Sequence, residues 1–138
     1  MTDAPVSEQA AVTEAVGAGL FQVRVSAGGH DFWMDEPVTN GGLDSGPSPF
    51  DLLRAALASC TLMTIKAYAE RKGWPTGGLR VRVTHHKGEG GARDRFDRVI
   101  DLGDVTDEQR DRLAWIADRC PVHLLLDKGA DSPVTLAG

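Results

Sequence analysis

Gly46-Pro47-Ser48-Pro49-Phe50-Asp51-Leu52-Leu53-Arg54-Ala55-Ala56-Leu57-Ala58-Ser59-Cys60-Thr61-Leu62-Met63-Thr64 is the stretch that decides how this chain is read. It opens with the punctuation of a helix start. Ser48 is an N-cap residue, Pro49 suits the first helical position, and Asp51 completes a capping-box-like arrangement. Leu53, Ala56, Leu57, Cys60, Met63, Thr64, Ala67 and Tyr68 then recur at helical spacing, which predicts one shared face. Gly73 and Pro75 end the helix. At the helical rise per residue it is roughly 35 Å long. That exceeds what one small domain needs and points to packing against a partner chain.

Working outward, Ala11 to Val16 reads as a weak edge strand in preference to a short helix, and Leu20 to Val25 alternates apolar and polar as a half-buried strand does. Gly28-Gly29 gives a turn, and His30 to Met34 is the hairpin partner. The segment Pro37 to Pro49, rich in Gly, Pro, Asn, Asp and Ser, is an irregular loop, a frequent location for sites. Beyond the long helix, Leu79 to His85 and Arg95 to Leu102 form a second hairpin. Thr106 and Gln109 make another capping box ahead of a helix carrying Leu113, Ile116 and Ala117. Pro121 disfavours the α conformation at Cys120 and suits the first position of a short helix, Val122 to Lys128, closed by Gly129. Ser132 to Leu136 reads as a last edge strand. No internal repeat or low-complexity tract is visible.

Composition narrows the function classes. The 138 residues suit one domain with a core, and the net charge of -5 argues against nucleic acid as a partner. No stretch approaches the length of a membrane span. The first residues lack the basic and apolar regions of a signal peptide, so a cytoplasmic location is expected. In that compartment thiols are kept reduced, and a cysteine pair is catalytic, redox-sensing or metal-binding rather than structural.

The chain has two cysteines. An apolar helix middle raises a thiol pKa, so Cys60 reads as a small core residue unless a cation lies near it. Cys120, capping a short helix, has the N-terminal N–H groups to favour its thiolate, and a protonated His123 would help. A disulfide between the two needs their Cα atoms within about 7 Å. Cys120-Pro121-Val122-His123 also resembles half of a redox motif, and Cys-x-x-His could equally be half a zinc site. The four histidines are His30, His85, His86 and His123, and the adjacent pair lies on opposite strand faces, so no metal site is assigned. The glycine clusters lack a phosphate-loop pattern and read as turns, and the charge run Arg93-Asp94-Arg95 with Asp97-Arg98 reads as a solvated hairpin face.

The quoted stretch, together with Asp118-Arg119-Cys120-Pro121-Val122-His123, resembles the OsmC/Ohr family, the osmotically inducible protein C and organic hydroperoxide resistance proteins. The likeness covers residues 11–138, leaving residues 1–10 as a flexible N-terminus ahead of a single OsmC-like domain. The resemblance implies an α+β fold in which antiparallel sheets wrap around long central helices of an intertwined homodimer, with active sites at the interface. It implies a thiol-dependent, peroxiredoxin-like peroxidase of oxidative stress defence, acting on organic hydroperoxides with an external dithiol reductant and no cofactor. Carried over, Cys60 is the attacking cysteine and Cys120 the resolving one, forming a Cys60–Cys120 disulfide through a Cys60 sulfenic acid.

One position departs from that pattern. The hydroperoxidases of the family hold a Glu, paired to a thiolate-activating Arg, where this chain has Phe50. Asp51 is the nearest carboxylate, and Arg24, Arg54 and Arg119 are substitute cations. His123 and Glu36, with His30 and Asp35, are further candidates for polar site groups. Phe50, Leu57, Met63 and Trp33 are candidates to line an apolar pocket. The departure sustains an alternative, a non-enzymatic OsmC-like protein that binds a small ligand or senses redox state.

Overall fold

The computed structural model describes residues 10–138. The N-terminal segment expected to be flexible lies, through residue 9, outside the described residues. The chain forms two compact units, one ending at Leu53 and the other starting at Arg54.

The first unit is an antiparallel meander of β1 (Ala11–Ala15), β2 (Val23–Ala27) and β3 (His30–Met34), in that order across the sheet. Gly28 and Gly29 sit at φ 58° and 79°, the two left-handed positions that a two-residue hairpin turn requires. This turn sets the register, with Ala27 opposite His30 and Val25 opposite Phe32. Val25 is the buried residue of β2. The expected strand from Leu20 starts later, at Val23. Ala15 already pairs with Val23, so the residues between them form the connection. Gly19 turns there at φ 63° and Leu20 stays exposed.

A buried carboxylate organises the loop after β3. Asp35 accepts from the backbone N–H groups of Glu36, Leu43 and Ser45 at 2.8, 3.2 and 3.2 Å. The Ser45 hydroxyl adds a 2.6 Å bond. These bonds hold the Asp35 carboxyl below the usual range, the Ser45 hydroxyl contributing most. Gly42 permits this fold-back, since a Cβ there would collide with the Glu36 carbonyl.

Helix α1 (Pro49–Arg71) begins as the sequence predicts. Ser48 N–H donates to Asp51 at 2.9 Å, and Asp51 N–H donates to Ser48 Oγ at 3.1 Å. Its end is a Schellman closure, with Trp74 N–H on the Ala69 carbonyl and Gly73 N–H on the Glu70 carbonyl. The buried face differs from the expected one. Leu57, Thr61, Ile65 and Ala69 point inward, while Met63 is 67% exposed. Apolar side chains occupy more than one side of this helix, so periodicity alone left its rotation undetermined.

In the second unit β4 (Arg80–His86) and β5 (Arg95–Asp101) form an antiparallel hairpin, Arg80 opposite Asp101 and His86 opposite Arg95. Helix α2 (Asp107–Ala117) starts from the Thr106–Gln109 capping box. Helix α3 (Pro121–Lys128) has Cys120 as its N-cap. Ile65 and Ala69 of α1 meet Leu113 and Ala117 of α2 and Leu102, with Tyr68, Trp74 and Ile100 packed around them. The expected final strand is absent among the described residues. Ser132 to Leu136 pairs with nothing as a strand, and Val134 and Leu136 are almost fully exposed. Pro133 lacks the N–H that a ladder would use.

No helix of the described residues is long and apolar enough to cross a membrane.

Candidate thiol site

The second unit brings the two thiols together. Cys60, two turns into the α1 segment of this unit, is partly exposed, and Cys120 at the start of α3 is completely buried. Both are free thiols. The Cys60 thiol donates a hydrogen bond to the Cys120 sulfur, so the two titrations are linked in opposite directions. Burial pushes the Cys60 thiol up, and donation to Cys120 raises it further; the Val122 N–H and Thr64 hydroxyl only partly offset this. Burial also acts to raise Cys120. It is outweighed by hydrogen bonds from Cys60, the His123 N–H, the Thr61 hydroxyl and the Val122 N–H, which hold Cys120 below its ordinary value.

The N-terminal position of Cys120 on α3 explains part of this. Pro121 starts the helix and leaves the N–H groups of Val122 and His123 facing the cap. The cysteine side chain does not close a short cap hydrogen bond. The donors nonetheless lie near enough to its sulfur to favour the anion.

One cation that the sequence reading leaves on a solvated hairpin face instead turns inward and stands behind this site. Arg98 of β5 is largely buried and fixed by three acceptors. Its Nη1 donates to Thr61 Oγ1 at 3.2 Å and to the Ala117 carbonyl at 3.0 Å. Its Nη2 donates to Asp118 Oδ1 at 2.8 Å. Arg98 sits in an alternating strand beside several other charged residues, and Arg95 and Asp97 beside it do pair at the surface, at 2.7 Å. No local pattern distinguished it from them. Its position opposite Val83 in the hairpin register was the one available signal.

The other candidates have plainer roles. Asp51 closes the cap of α1. Arg54 is half-buried on α1. Arg119 stacks on the Trp115 ring, 4.1 Å from its centroid. Arg24 pairs with Asp31 at 3.3 Å. Glu36 lines a cavity of about 360 Å³ with Phe21, Val23 and Met34. The His123 imidazole lies 3.7 Å from Asp118 and 3.5 Å from Asp127, while its backbone N–H serves Cys120. Of the apolar candidates, Leu57 is buried and lines a cleft of about 710 Å³ with Phe96, Leu126, Arg98 and His123. Phe50, Trp33 and Met63 are 53%, 47% and 67% exposed. Among the described residues no group of His, Cys, Asp and Glu is arranged to hold a metal ion.

A thiol pair bridging a long helix and the start of a short one, inside an α+β frame, defines a class of protein, and comparison supplies the family. The family model for OsmC-like protein matches residues 42–135, most of the chain. The chain belongs to the OsmC-like family. Solved structures share the fold. One is described as a putative osmotic stress induced and detoxification response protein from Psychrobacter arcticus; it is 23% identical, covers 81% of this chain and 85% of its own, and superposes with a TM-score of 0.64. The organic hydroperoxide resistance protein OhrB of Bacillus subtilis is 20% identical, covers 83% and 87%, and gives a TM-score of 0.57. An OsmC-like protein of unknown function from Vibrio cholerae is 13% identical, covers 83% and 90%, and gives 0.60. No curated protein sequence matches the chain.

Proposed function

We propose that the protein is a thiol-dependent peroxidase that reduces organic hydroperoxides, as part of oxidative stress defence, through Cys60 and Cys120. The observation that carries this reading is the meeting of two free thiols of unequal exposure, the partly exposed Cys60 on α1 and the buried Cys120 at the start of α3, close enough to influence each other's titration. Membership of the OsmC-like family and likeness in fold to hydroperoxide resistance proteins support it.

The chemistry follows from the shared proton. Cys60 is the more accessible sulfur but the weaker acid, so it attacks while its proton passes to Cys120. The Cys60 sulfur bonds to the distal peroxide oxygen, the O–O bond breaks, and the alkoxide takes the proton from Cys120 and leaves as alcohol. Cys60 is then a sulfenic acid and Cys120 a thiolate. Cys120 attacks the Cys60 sulfur, the S–O bond breaks, and hydroxide leaves as water after protonation. An external dithiol restores both thiols by exchange. This route uses no carboxylate at the position of Phe50.

The acting species is proposed to be a homodimer. On α1, β5 and α3 the apolar Met63, Val99, Leu124 and Leu125 are each about half exposed or more, and α3 buries no residue fully. Such surface fits association with a second copy.

One observation favours a second reading. Cys60 has a raised pKa, which slows thiolate attack on peroxide and favours the non-enzymatic alternative, a small-ligand site or a sensor that oxidises slowly. Cumene hydroperoxide added to the reduced protein separates the two. Repeated turnover with a dithiol supports the peroxidase, whereas a single slow oxidation without turnover supports the sensor.

A further inference from the structure

Between them, the Arg98–Thr61 contact and the unequal exposure of the two sulfurs carry a consequence for the reductive half of the cycle. Arg98 is locked by Ala117, Asp118 and Thr61. Thr61 Oγ1 accepts from Arg98, which leaves its own proton for the Cys120 sulfur that it faces. Thr61 is fully buried, so this donor has no solvent competitor. Cys120 is equally inaccessible, whereas Cys60 is partly exposed.

We propose that Arg98, acting through the Thr61 hydroxyl, is a positioning residue that makes Cys120 the leaving thiolate of the Cys60–Cys120 disulfide, so that an external thiol attacks Cys60. The inference rests on the redox reading of the pair and specifies the polarity of its reduction. An external thiolate bonds to Cys60 Sγ. The Cys60–Cys120 bond breaks, and its electron pair goes to Cys120 Sγ, where the Thr61 hydroxyl and the Val122 and His123 N–H groups receive the charge. When the reductant is a dithiol, its second thiolate attacks the reductant sulfur of the mixed disulfide. Cys60 leaves and takes up a proton. Two electrons pass from the dithiol to the protein, and the dithiol becomes a disulfide.

A lower-pKa thiol leaves faster, so the donors around Cys120 favour it as the leaving group, while its burial shields its sulfur from attack; both direct the external thiol to Cys60. The groups facing the Cys120 sulfur are Cys60 and Thr61 of α1 and the N–H groups of α3. Arg98 of β5 stands behind Thr61. Asp118, at the end of α2, takes the outer side of Arg98 and approaches the His123 imidazole, so its charge is balanced away from the sulfur.

The test starts from protein closed to the disulfide with diamide, which needs no peroxidase activity. The closed protein is mixed with the monothiol 2-mercaptoethanol, quenched in acid, its freed thiols blocked with N-ethylmaleimide, and digested with trypsin. The peptide Ala55–Lys66 carries Cys60, and Cys120–Lys128 carries Cys120. The adduct is expected on the first peptide in about tenfold excess or more. Two further readouts distinguish positioning from a structural role. In a Cys60→Ser background, the Cys120 titration followed by thiolate absorbance should move upward in Arg98→Gln and Thr61→Val, and return in Thr61→Ser. The rate of disulfide opening should fall about tenfold in the same two variants. Adduct mainly on Cys120–Lys128, a titration indifferent to Thr61→Val and Arg98→Gln, or a pair that diamide does not close would each overturn the proposal. If hydroperoxide fails to oxidise the thiols while the exchange polarity holds, only the peroxidase reading falls.

Discussion

The Cys60 thiol donates to the Cys120 sulfur, and this one bond divides the acidity of the pair unequally. A donor replacing Cys60 should therefore keep part of the effect, and a non-donor should lose it. The Cys120 titration is expected to lie higher in Cys60→Ala than in Cys60→Ser, as read by ultraviolet thiolate absorbance. Linkage gives a matching stability signature. Cys120 has a lowered folded-state pKa, so in Cys60→Ser its contribution to stability is present above the unfolded cysteine value of about 8.5 and is lost as pH falls through the folded value. Equal titrations in the two variants would show that Cys60 does not donate to Cys120.

Asp35 should behave as an anchor of its loop. Asp35→Asn keeps one acceptor oxygen but turns an NH2 group toward the N–H donors of Leu43 and Ser45 or of Glu36. The melting temperature at neutral pH is expected to fall. Because the Asp35 carboxyl is held below its usual range, its stabilisation is present above about pH 3.9 and disappears as pH falls through the lower folded value. The difference in melting temperature between wild type and variant should shrink over that acidic window. A difference that stayed constant down to the acid limit would remove the charge-based account.

Much of this was legible in the sequence because it was written in short-range chemistry. Ser48, Pro49 and Asp51 announced the start of α1, and Thr106 with Gln109 that of α2. Gly28-Gly29 fixed a hairpin turn, and Cys120-Pro121 marked the entry to α3. What could not be read locally depended on partners far along the chain. Thr61 and Arg98 are separated by much of the second unit, and only folding sets them at hydrogen-bond distance. The face of α1 was ambiguous because Met63 and Ile65 are both apolar, and contact with Leu113 and Leu102 selects Ile65. Ser132 to Leu136 has strand-like residues but no strand to pair with, a tertiary condition that β-propensity does not encode.

Leu113 sits at the centre of the second unit's core and is almost fully buried. Leu113→Ala should destabilise the protein by about 2–5 kcal/mol in urea or thermal unfolding, through lost burial and the remaining cavity. An effect below about 0.5 kcal/mol, the range typical of surface positions, would contradict its place in the core.

Met63 provides the test of self-association. Its exposed side chain is worth about 1.5–3 kcal/mol if buried against a second copy. Met63→Asp should then weaken dimerisation by about tenfold or more, as measured by sedimentation equilibrium. A wild-type protein that sediments as a monomer at high concentration would contradict the proposed homodimer.

The most direct measurement is a thiol count on the reduced protein after stoichiometric cumene hydroperoxide. The account predicts loss of two thiols per chain in wild type. Cys60→Ser should lose none, and Cys120→Ser should lose one, with a trappable sulfenic acid on Cys60. Wild-type thiols that persist unchanged over minutes, or a Cys120→Ser protein in which Cys60 never oxidises, would contradict it.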